Sequence, residues 1–319
     1  MQILPLQVHN AHVLCSCPFL GRNQTERQVW HLHKKFGASP SDLAGYAGDP
    51  DRYRSLLSRE IAAVKGHASL QSTIQDPELG NISHRLIVIR PLQESRRMAE
   101  KNFASREVFD MFWDTFLKDR TAEMARFYDM FCGATRVTFS AGWIFEARMH
   151  QLLATGKPIR IFRIHGHTAT KNIIYSDYDA SRKQKDPVDL KWAPSEQYIL
   201  PEGDSVELQE GRYYRPGSNS FPTIDSLLLF PPSSDTSPPI LLMFQITKNQ
   251  EKHDVNPDGL HRVDSLKFPS NACKYYVAVT PKDTWPKLTV PMEHFRGQPM
   301  VPDTLFPVFH YPVRELFTG

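Results

Sequence analysis

The feature that most constrains this chain is a short apolar run in its second half that contains a single amide. Residues 240–248 read ILLMFQITK, so five apolar residues precede Gln245. A run of this length predicts a buried central strand of a sheet. Alternation places Gln245 and Thr247 on one face of that strand and Lys248 on the other. A buried amide needs partners, so Gln245 is either a satisfied core residue or part of a site.

Helix and strand patterns surround this run. The stretch 139–156 predicts a helix that ends at Gly156, a residue type favoured just beyond a helix. Asn256 and Pro257 are typical of the cap and the first residue of another helix. The polar stretch 167–207 is interpreted as loops. The further predicted strands are 158–166, 211–216, 221–230 and 274–281. These elements predict an α/β fold with a short-stranded sheet.

The first half of the chain has mostly helical patterns. Asp49 is placed to cap one helix and Ser105 to cap another. One short apolar run, 85–91, predicts a strand that a proline ends. A length of 319 residues suits about two domains. We therefore expect a mainly helical region over 1–135 and an α/β domain over 136–319.

Two carboxylates stand in unusually apolar surroundings. Glu146 lies on a largely apolar helix face, where a carboxylate is unfavourable unless it is paired, hydrogen-bonded or bound to metal. The structural alternative to a functional role is that the Glu146 side chain extends to solvent or pairs with His150 or Arg148. Asp225 lies in a predicted strand, although strands disfavour aspartate. The alternative here is that the strand begins at Ser226 and that Asp225 belongs to a turn.

Asp225 and Gln245 are candidates for a shared cation site. They are 20 residues apart across a hairpin-like connection. Adjacent strands lie about 4.8 Å apart, so the two side chains can reach one cation. Oxygen donors from aspartate, glutamate and glutamine suit Mg²⁺ or Mn²⁺ rather than a soft metal.

The order of these residues resembles a known superfamily. A helical glutamate, a strand aspartate and a strand (E/Q)-x-K position, in α-β-β-β-α-β order, are similar to the PD-(D/E)xK restriction-endonuclease-like nucleases. The closer resemblance is to the nuclease domain of Crinkler and retrotransposon-hot-spot (RHS) type proteins. It rests on RPGSNSFPTIDSLLL, on LLMFQITKNQEKHDVNPDGL and on the helix segment AGWIFEARMHQLL. It covers about residues 136–285 and implies a restriction-endonuclease-like α/β core.

The resemblance also implies a reaction and a ligand set. Glu146, Asp225 and Gln245 would hold one or two Mg²⁺ or Mn²⁺ ions, which polarise the scissile phosphate and activate the attacking water. The reaction would be hydrolysis of phosphodiester bonds in DNA, with RNA not excluded. Relatives of this kind act as effectors or in genomic conflict.

One position departs from the motif of the superfamily. Thr247 stands where the pattern has a catalytic lysine, which stabilises developing charge or orients the nucleophile. Lys248 is one residue further and faces away unless a bulge re-aims it. Lys252 or His253, from the following loop, is the other substitute. The departure leaves an alternative open, in which the domain is an inactive nuclease fold that binds nucleic acid or a nuclear protein.

Binding of nucleic acid requires basic side chains near the site. The net charge of +3 permits a polyanionic partner without requiring one. Tyr213 and Tyr214 are either base-stacking residues or, as is more usual for tyrosines in strands, packing residues. The predicted nucleic-acid contacts are Arg212, Arg215, Lys252, Arg182, Lys183 and Lys185.

Residues 30–130 resemble the C-terminal end of the P-loop NTPase module, of AAA/STAND type, that precedes the nuclease in Crinkler and RHS proteins. The chain contains no G-x-x-x-x-G-K-[ST] sequence, so no ATP site is expected. The helical region is instead a candidate docking surface for a protein partner.

Targeting signals are not evident in the sequence. The first residues lack a charged segment followed by an apolar stretch, and no run of 18 apolar residues occurs. The four cysteines do not suggest a disulfide framework. We expect no membrane partner and a nuclear or cytoplasmic location, which for an effector would be the host nucleus.

Overall fold

A computed structural model describes residues 25–63, 85–92, 95–118, 120–132, 139–169, 172–175, 187–201, 206–217, 221–232, 237–248, 253–281, 288–291, 307–313 and 316. The chain forms two compact units, and the division falls between Ile144 and Phe145, inside one helix. Among the described helices, none is long and apolar enough to cross a membrane.

The first unit combines helices with one antiparallel hairpin. The caps at Asp49 and Ser105 are confirmed, because these side chains accept the N–H groups of Arg52 at 3.0 Å and Val108 at 3.2 Å. The elements are α1 (Glu26–Phe36), α2 (Pro40–Tyr46), α3 (Pro50–Ala63), β1 (Ile87–Leu92), β2 (Ser95–Phe103), α4 (Arg106–Phe112) with a following π-helical turn (Trp113–Leu117), α5 (Thr121–Cys132) and the start of α6 (Phe139–Ala154). Of the two strands, only β1 was predicted.

Aromatic rings fill the core of this unit. Phe103, the last residue of β2, contacts Phe109, Phe112 and Phe131 with ring centroids 5.4 to 5.6 Å apart. Tilted and edge-on contacts of this kind are the favourable arrangements of aromatic pairs. The Phe103 N–H also donates to the Ser140 hydroxyl at 2.8 Å, which joins the start of α6 to the hairpin.

A partly buried ionic network joins α2 and α3 to the residues before β1. Asp42 in α2 is 3% exposed and accepts hydrogen bonds from the Ser39 hydroxyl at 2.6 Å and from Arg85 Nε at 2.7 Å. Arg85 also donates to Glu60 of α3 at 2.7 Å. A buried carboxylate is stable only with such partners. The network therefore fixes α2 and α3 against the residues that lead into β1.

The second unit contains two sheets. Its strands are β3 (Ile159–Ile164), β4 (Gly166–Ala169), β5 (Asn172–Tyr175), β6 (Val188–Leu190), β7 (Gln197–Leu200), β8 (Tyr213–Pro216), β9 (Ser226–Phe230), β10 (Ile240–Ile246), β11 (His253–Asp254), β12 (Cys273–Pro281), β13 (Leu288–Pro291) and β14 (Val308–Val313). The larger sheet has the order β6-β3-β14-β12-β10-β9-β8-β7, and the smaller one β11-β13-β5-β4. The predicted α/β class is therefore correct.

The predicted central strand is confirmed. β10 lies inside the eight-stranded sheet, antiparallel to β9 and parallel to β12. Leu241 and Met243 on one face belong to an apolar cluster that includes Leu260 and Val263. These last two residues lie on α7 (Pro257–Asp264), which begins at its predicted cap, Asn256. Alternation gives β10 a second buried face, so both of its faces are covered.

The interpretation of 167–207 as loops was wrong. The stretch contains β5, β6, β7 and most of β4. These strands are only three or four residues long, so an alternating pattern has too few residues to be recognised. β13 and β14 were also missed, and β14 lies between β3 and β12 rather than at an edge.

Candidate functional site

Asp225 lies immediately before β9, so the alternative of a strand that begins at Ser226 is correct. Its backbone N–H donates to the Phe244 carbonyl at 2.8 Å. Its carboxylate Oδ2 accepts the N–H of Ile246 at 2.6 Å. The last pair of the two strands is Ser226 with Phe244, so Asp225 stands at the level of Gln245 in β10. The carboxylate therefore extends the hydrogen-bond ladder beyond the end of β9.

Gln245 is a buried amide near the end of β10, with 7% of its surface exposed. Its side chain contacts the Tyr276 hydroxyl of β12 at 2.8 Å. The same hydroxyl donates to the Thr223 carbonyl at 2.9 Å. Burial raises the pKa of Tyr276 well above its ordinary value, and the nearby Asp225 carboxylate raises it further. Tyr276 is thus the point where Gln245, Asp225 and the preceding turn meet.

The turn before Asp225 has a strained backbone. Thr223 has φ +65°, and among the described residues it is the one non-glycine residue with a positive φ. Left-handed backbone is unfavourable for a β-branched residue by about 1 to 3 kcal/mol, so the surroundings must hold it. The Asn256 N–H donates to the Thr223 hydroxyl at 3.2 Å. A Cβ on Gly259 would lie 2.0 Å from the Pro222 carbonyl oxygen, so α7 packs directly on the turn.

Glu146 of α6 lies at the head of a chain of polar contacts. Its Oε1 is 3.5 Å from His150 Nε2 and 3.9 Å from Arg215 Nη2. His150 Nδ1 lies 2.7 Å from the Tyr213 hydroxyl, which in turn donates to the Ser226 hydroxyl at 2.7 Å. The chain links α6 to β8 and β9, and its three inner members are fully buried or nearly so.

The structural alternative for Glu146 is confirmed for His150 and wrong for Arg148. Arg148 Nε donates to the Leu316 carbonyl at 3.0 Å instead. The partners of Glu146 include one histidine on its own helix and one arginine on β8.

Tyr213 connects the two carboxylates. Burial raises the pKa of its hydroxyl, and the charges of Asp225 and Glu146 raise it further, while Arg215 lowers it. Both carboxylates therefore lie close enough to one buried hydroxyl to act on it electrostatically. Asp225 affects Tyr276 in the same way. The charge of Asp225 thus acts on both buried tyrosines, and the charge of Glu146 acts on Tyr213.

Thr247, which occupies the lysine position, and the predicted substitutes for that lysine have different environments. The Thr247 N–H donates to the Val279 carbonyl at 2.9 Å, which continues the pairing of β10 with β12. Lys248, the next residue, is buried, with 8% of its surface exposed. His253 begins β11, which pairs with β13 in the smaller sheet. Lys252 lies outside the described residues.

Two of the predicted nucleic-acid contacts can be located. Arg215 lies beside Glu146, and the Arg212 guanidinium lies 4.4 Å from the centre of the Tyr198 ring, a favourable cation–π distance. Arg182, Lys183 and Lys185 lie outside the described residues. Tyr213 and Tyr214 are both buried, so they are packing residues rather than a surface for base stacking.

The donor set of this site suits a hard cation. In the described part of the chain, no group of three or more histidine, cysteine, aspartate or glutamate side chains could hold a metal ion. Asp225 and Gln245 offer oxygen atoms, which Mg²⁺ and Mn²⁺ prefer. Glu146, the third predicted ligand, lies 3.5 Å from His150 Nε2 and 3.9 Å from Arg215 Nη2.

The sequence analysis missed two residues that organise this site. Thr223 and Tyr276 carry no local signal, since threonine and tyrosine are common in and beside strands. The one available signal was Asp225 itself, an aspartate beside an apolar run, which needs a turn and hydrogen-bond donors close by.

The chain was compared with protein-family models, curated proteins and solved structures, and none of them matches it.

Proposed function

We propose that this chain is a metal-dependent nuclease that hydrolyses phosphodiester bonds in DNA. The observation that carries the proposal is the meeting of Asp225 and Gln245 at the ends of β9 and β10. The Asp225 carboxylate bonds to the backbone of β10, and the Gln245 amide, at the same level of the sheet, contacts Tyr276. Both residues supply oxygen donors at one sheet end, as the resemblance to PD-(D/E)xK nucleases implies.

The order of elements supports a restriction-endonuclease-like core. The chain runs through α6, then reaches β8, β9 and β10, and then α7 and β12. In the larger sheet β8, β9 and β10 are adjacent and antiparallel, and β12 returns parallel to β10. This succession is compatible with the α-β-β-β-α-β order that the resemblance implies, with β3 to β7 inserted between α6 and β8 and β11 between β10 and α7.

The roles of the residues follow from their positions. Asp225 and Gln245 would hold the cation directly, and Glu146 would complete the set from α6. A bound divalent cation would polarise a phosphate and lower the pKa of a water molecule. Arg215 lies on the same side as Glu146, so its charge is placed to attract a phosphate toward the carboxylates.

Cleavage assays with plasmid and linear DNA test the proposal. The purified chain is incubated with Mg²⁺, Mn²⁺ or EDTA, beside Asp225→Asn and Gln245→Ala. We expect cutting that requires the cation and that both substitutions abolish. Asp189→Asn is the matched control, because Asp189 is an exposed carboxylate paired with Arg160 on β3.

The outcomes are distinct. Cutting that survives in Asp225→Asn would overturn the assignment of the site. A gel shift without cutting, steeply weakened by salt, would favour an inactive nucleic-acid-binding fold. Neither cutting nor a shift would favour a role in protein interaction.

A further inference from the structure

The hydroxyl of Tyr276 contacts two carbonyl-type oxygens. It lies 2.9 Å from the backbone carbonyl oxygen of Thr223 and 2.8 Å from the side-chain atom of Gln245 that is assigned as Oε1. Both distances are those of good hydrogen bonds. Both partners, as assigned, are acceptors without a proton.

One hydroxyl proton cannot serve two acceptors at these distances. A tyrosine hydroxyl is protonated at neutral pH, and it carries a single hydrogen. The Thr223 carbonyl can only accept a hydrogen bond. The Gln245 amide can instead donate one from its nitrogen, because its nitrogen and oxygen are nearly the same size and their assignment is decided by the hydrogen-bond network.

We infer that Gln245 donates its Nε2 to the oxygen of Tyr276 and turns its Oε1 toward Asp225, so that Tyr276 is the positioning residue for this ligand. In this orientation Tyr276 donates to Thr223 and accepts from Gln245, and both contacts are favourable. The inference rests on the proposed cation site, because it says which atom of Gln245 faces the cation.

The orientation leaves the amide oxygen open to a positive partner. Gln245 is 7% exposed, and the described residues give its amide one hydrogen-bond partner, Tyr276. With the nitrogen on Tyr276, the amide oxygen has no hydrogen-bond donor in the described part of the chain and is free to accept a cation. A divalent cation held between this oxygen and Asp225 would satisfy it.

The inference explains how a glutamine works at a position that is acidic in the resembled pattern. A carboxylate at this position has two equivalent oxygens and needs no orientation. An amide has one oxygen, so it ligates only if the correct end faces the cation. Tyr276 fixes which end of the amide faces the cation. In Gln245→Glu, the single hydroxyl proton of Tyr276 could be donated either to the carboxylate or to the Thr223 carbonyl.

A double-mutant cycle on Mn²⁺ binding tests the inference without any measurement of activity. Mn²⁺ affinity is measured by titration calorimetry for the full chain, Tyr276→Phe, Gln245→Glu and the double variant. We expect Tyr276→Phe to weaken Mn²⁺ about tenfold with Gln245, and by less than about twofold with Glu at this position, where no orientation is lost. An equal loss in both backgrounds would mean that Tyr276 is merely structural and would overturn the inference.

A second readout separates the inference from the proposed function. The side-chain NH₂ signals of Gln245, identified by their loss in Gln245→Glu, report its hydrogen bond in NMR spectra. With or without a metal ion, we expect one proton shifted downfield and slow to exchange, and we expect this signature to vanish in Tyr276→Phe. Tyr275→Phe is the matched control, because the Tyr275 ring packs on Phe309 on the neighbouring strand, 4.8 Å between centres. Absence of Mn²⁺ binding with the NMR signature present would reject the cation site alone, whereas absence of the signature would reject the orientation.

Discussion

The carboxylate of Asp225 accepts the backbone N–H of Ile246 across the end of two strands, at 2.6 Å. The side chain thus replaces a backbone carbonyl that the ladder lacks at this point, because β9 begins one residue later. One oxygen of the carboxylate holds the strands in register, which gives Asp225 a structural role beside the one proposed for it in cation binding.

This dual role predicts that the choice of substitution at Asp225 matters. Asp225→Ala leaves the N–H of buried Ile246 without its acceptor, which costs about 1 to 3 kcal/mol. Asp225→Asn keeps a carbonyl oxygen for the same N–H and loses only the charge. We therefore expect the alanine variant to melt several degrees lower and the asparagine variant to melt near the unaltered chain, with cleavage lost in both. Thermal unfolding beside the DNA assay checks this, and equal melting of the two variants would contradict the structural role.

The contact chain from Glu146 predicts a second effect. Tyr213→Phe removes the hydroxyl that contacts His150 Nδ1 and the Ser226 hydroxyl, each at 2.7 Å in a fully buried position. We expect a loss of about 1 to 3 kcal/mol in unfolding free energy, measured by urea denaturation. His150 also loses the contact that orients its ring toward Glu146. Mn²⁺ affinity should therefore fall with the stability, whereas Tyr275→Phe should change neither.

The sequence predicted the parts of the fold whose signals are local. Capping residues such as Asn256 and the apolar run before Gln245 each act within a few residues, so the pattern is complete in the sequence. The short strands between 166 and 200 were missed because their pairing partners, not their own side chains, define them as strands. β14 reaches the middle of the sheet because of its partners β3 and β12, which no local pattern encodes.

Some residues of the candidate site could likewise be recognised from the sequence and others could not. Glu146, Asp225 and Gln245 were recognisable because a polar side chain in an apolar element is unusual. The role of Tyr276 was not recognisable, because its two partners lie 53 and 31 residues away along the chain. The positive φ of Thr223 could not be foreseen either, since left-handed backbone is expected for glycine or asparagine rather than for threonine.

The close packing of α7 on the turn before Asp225 gives a third prediction. A Cβ at Gly259 would lie 2.0 Å from the Pro222 carbonyl oxygen, a backbone atom that cannot move aside without shifting the turn. We expect Gly259→Ala to destabilise the fold by about 1 to 3 kcal/mol. Gly142→Ala is the matched control, because nothing lies within 4 Å of its added Cβ and alanine favours a helix by up to about 1 kcal/mol. Melting temperatures should therefore move in opposite directions, and a harmless Gly259→Ala would argue against the packing described.

His310 gives the chain a predictable dependence on pH. Its ring is fully buried on β14, with Nε2 2.7 Å from the Thr280 hydroxyl. Burial lowers the pKa of His310 from 6.5 to about 4. The unfolded chain therefore takes up this proton at a higher pH than the folded chain does. The contribution of His310 is fully present above pH 6.5 and is lost as the pH falls from 6.5 toward 4. The whole loss is at most about 3 kcal/mol, the free energy of a pKa difference of this size.

Urea denaturation at several pH values between 7 and 4 measures how steeply the unfolding free energy depends on pH, and His310→Gln should reduce this slope. His261→Gln, a change at an exposed histidine of α7, should leave the slope as it is. If His310→Gln retains the full slope, the acid sensitivity arises elsewhere and the buried neutral state of His310 is wrong.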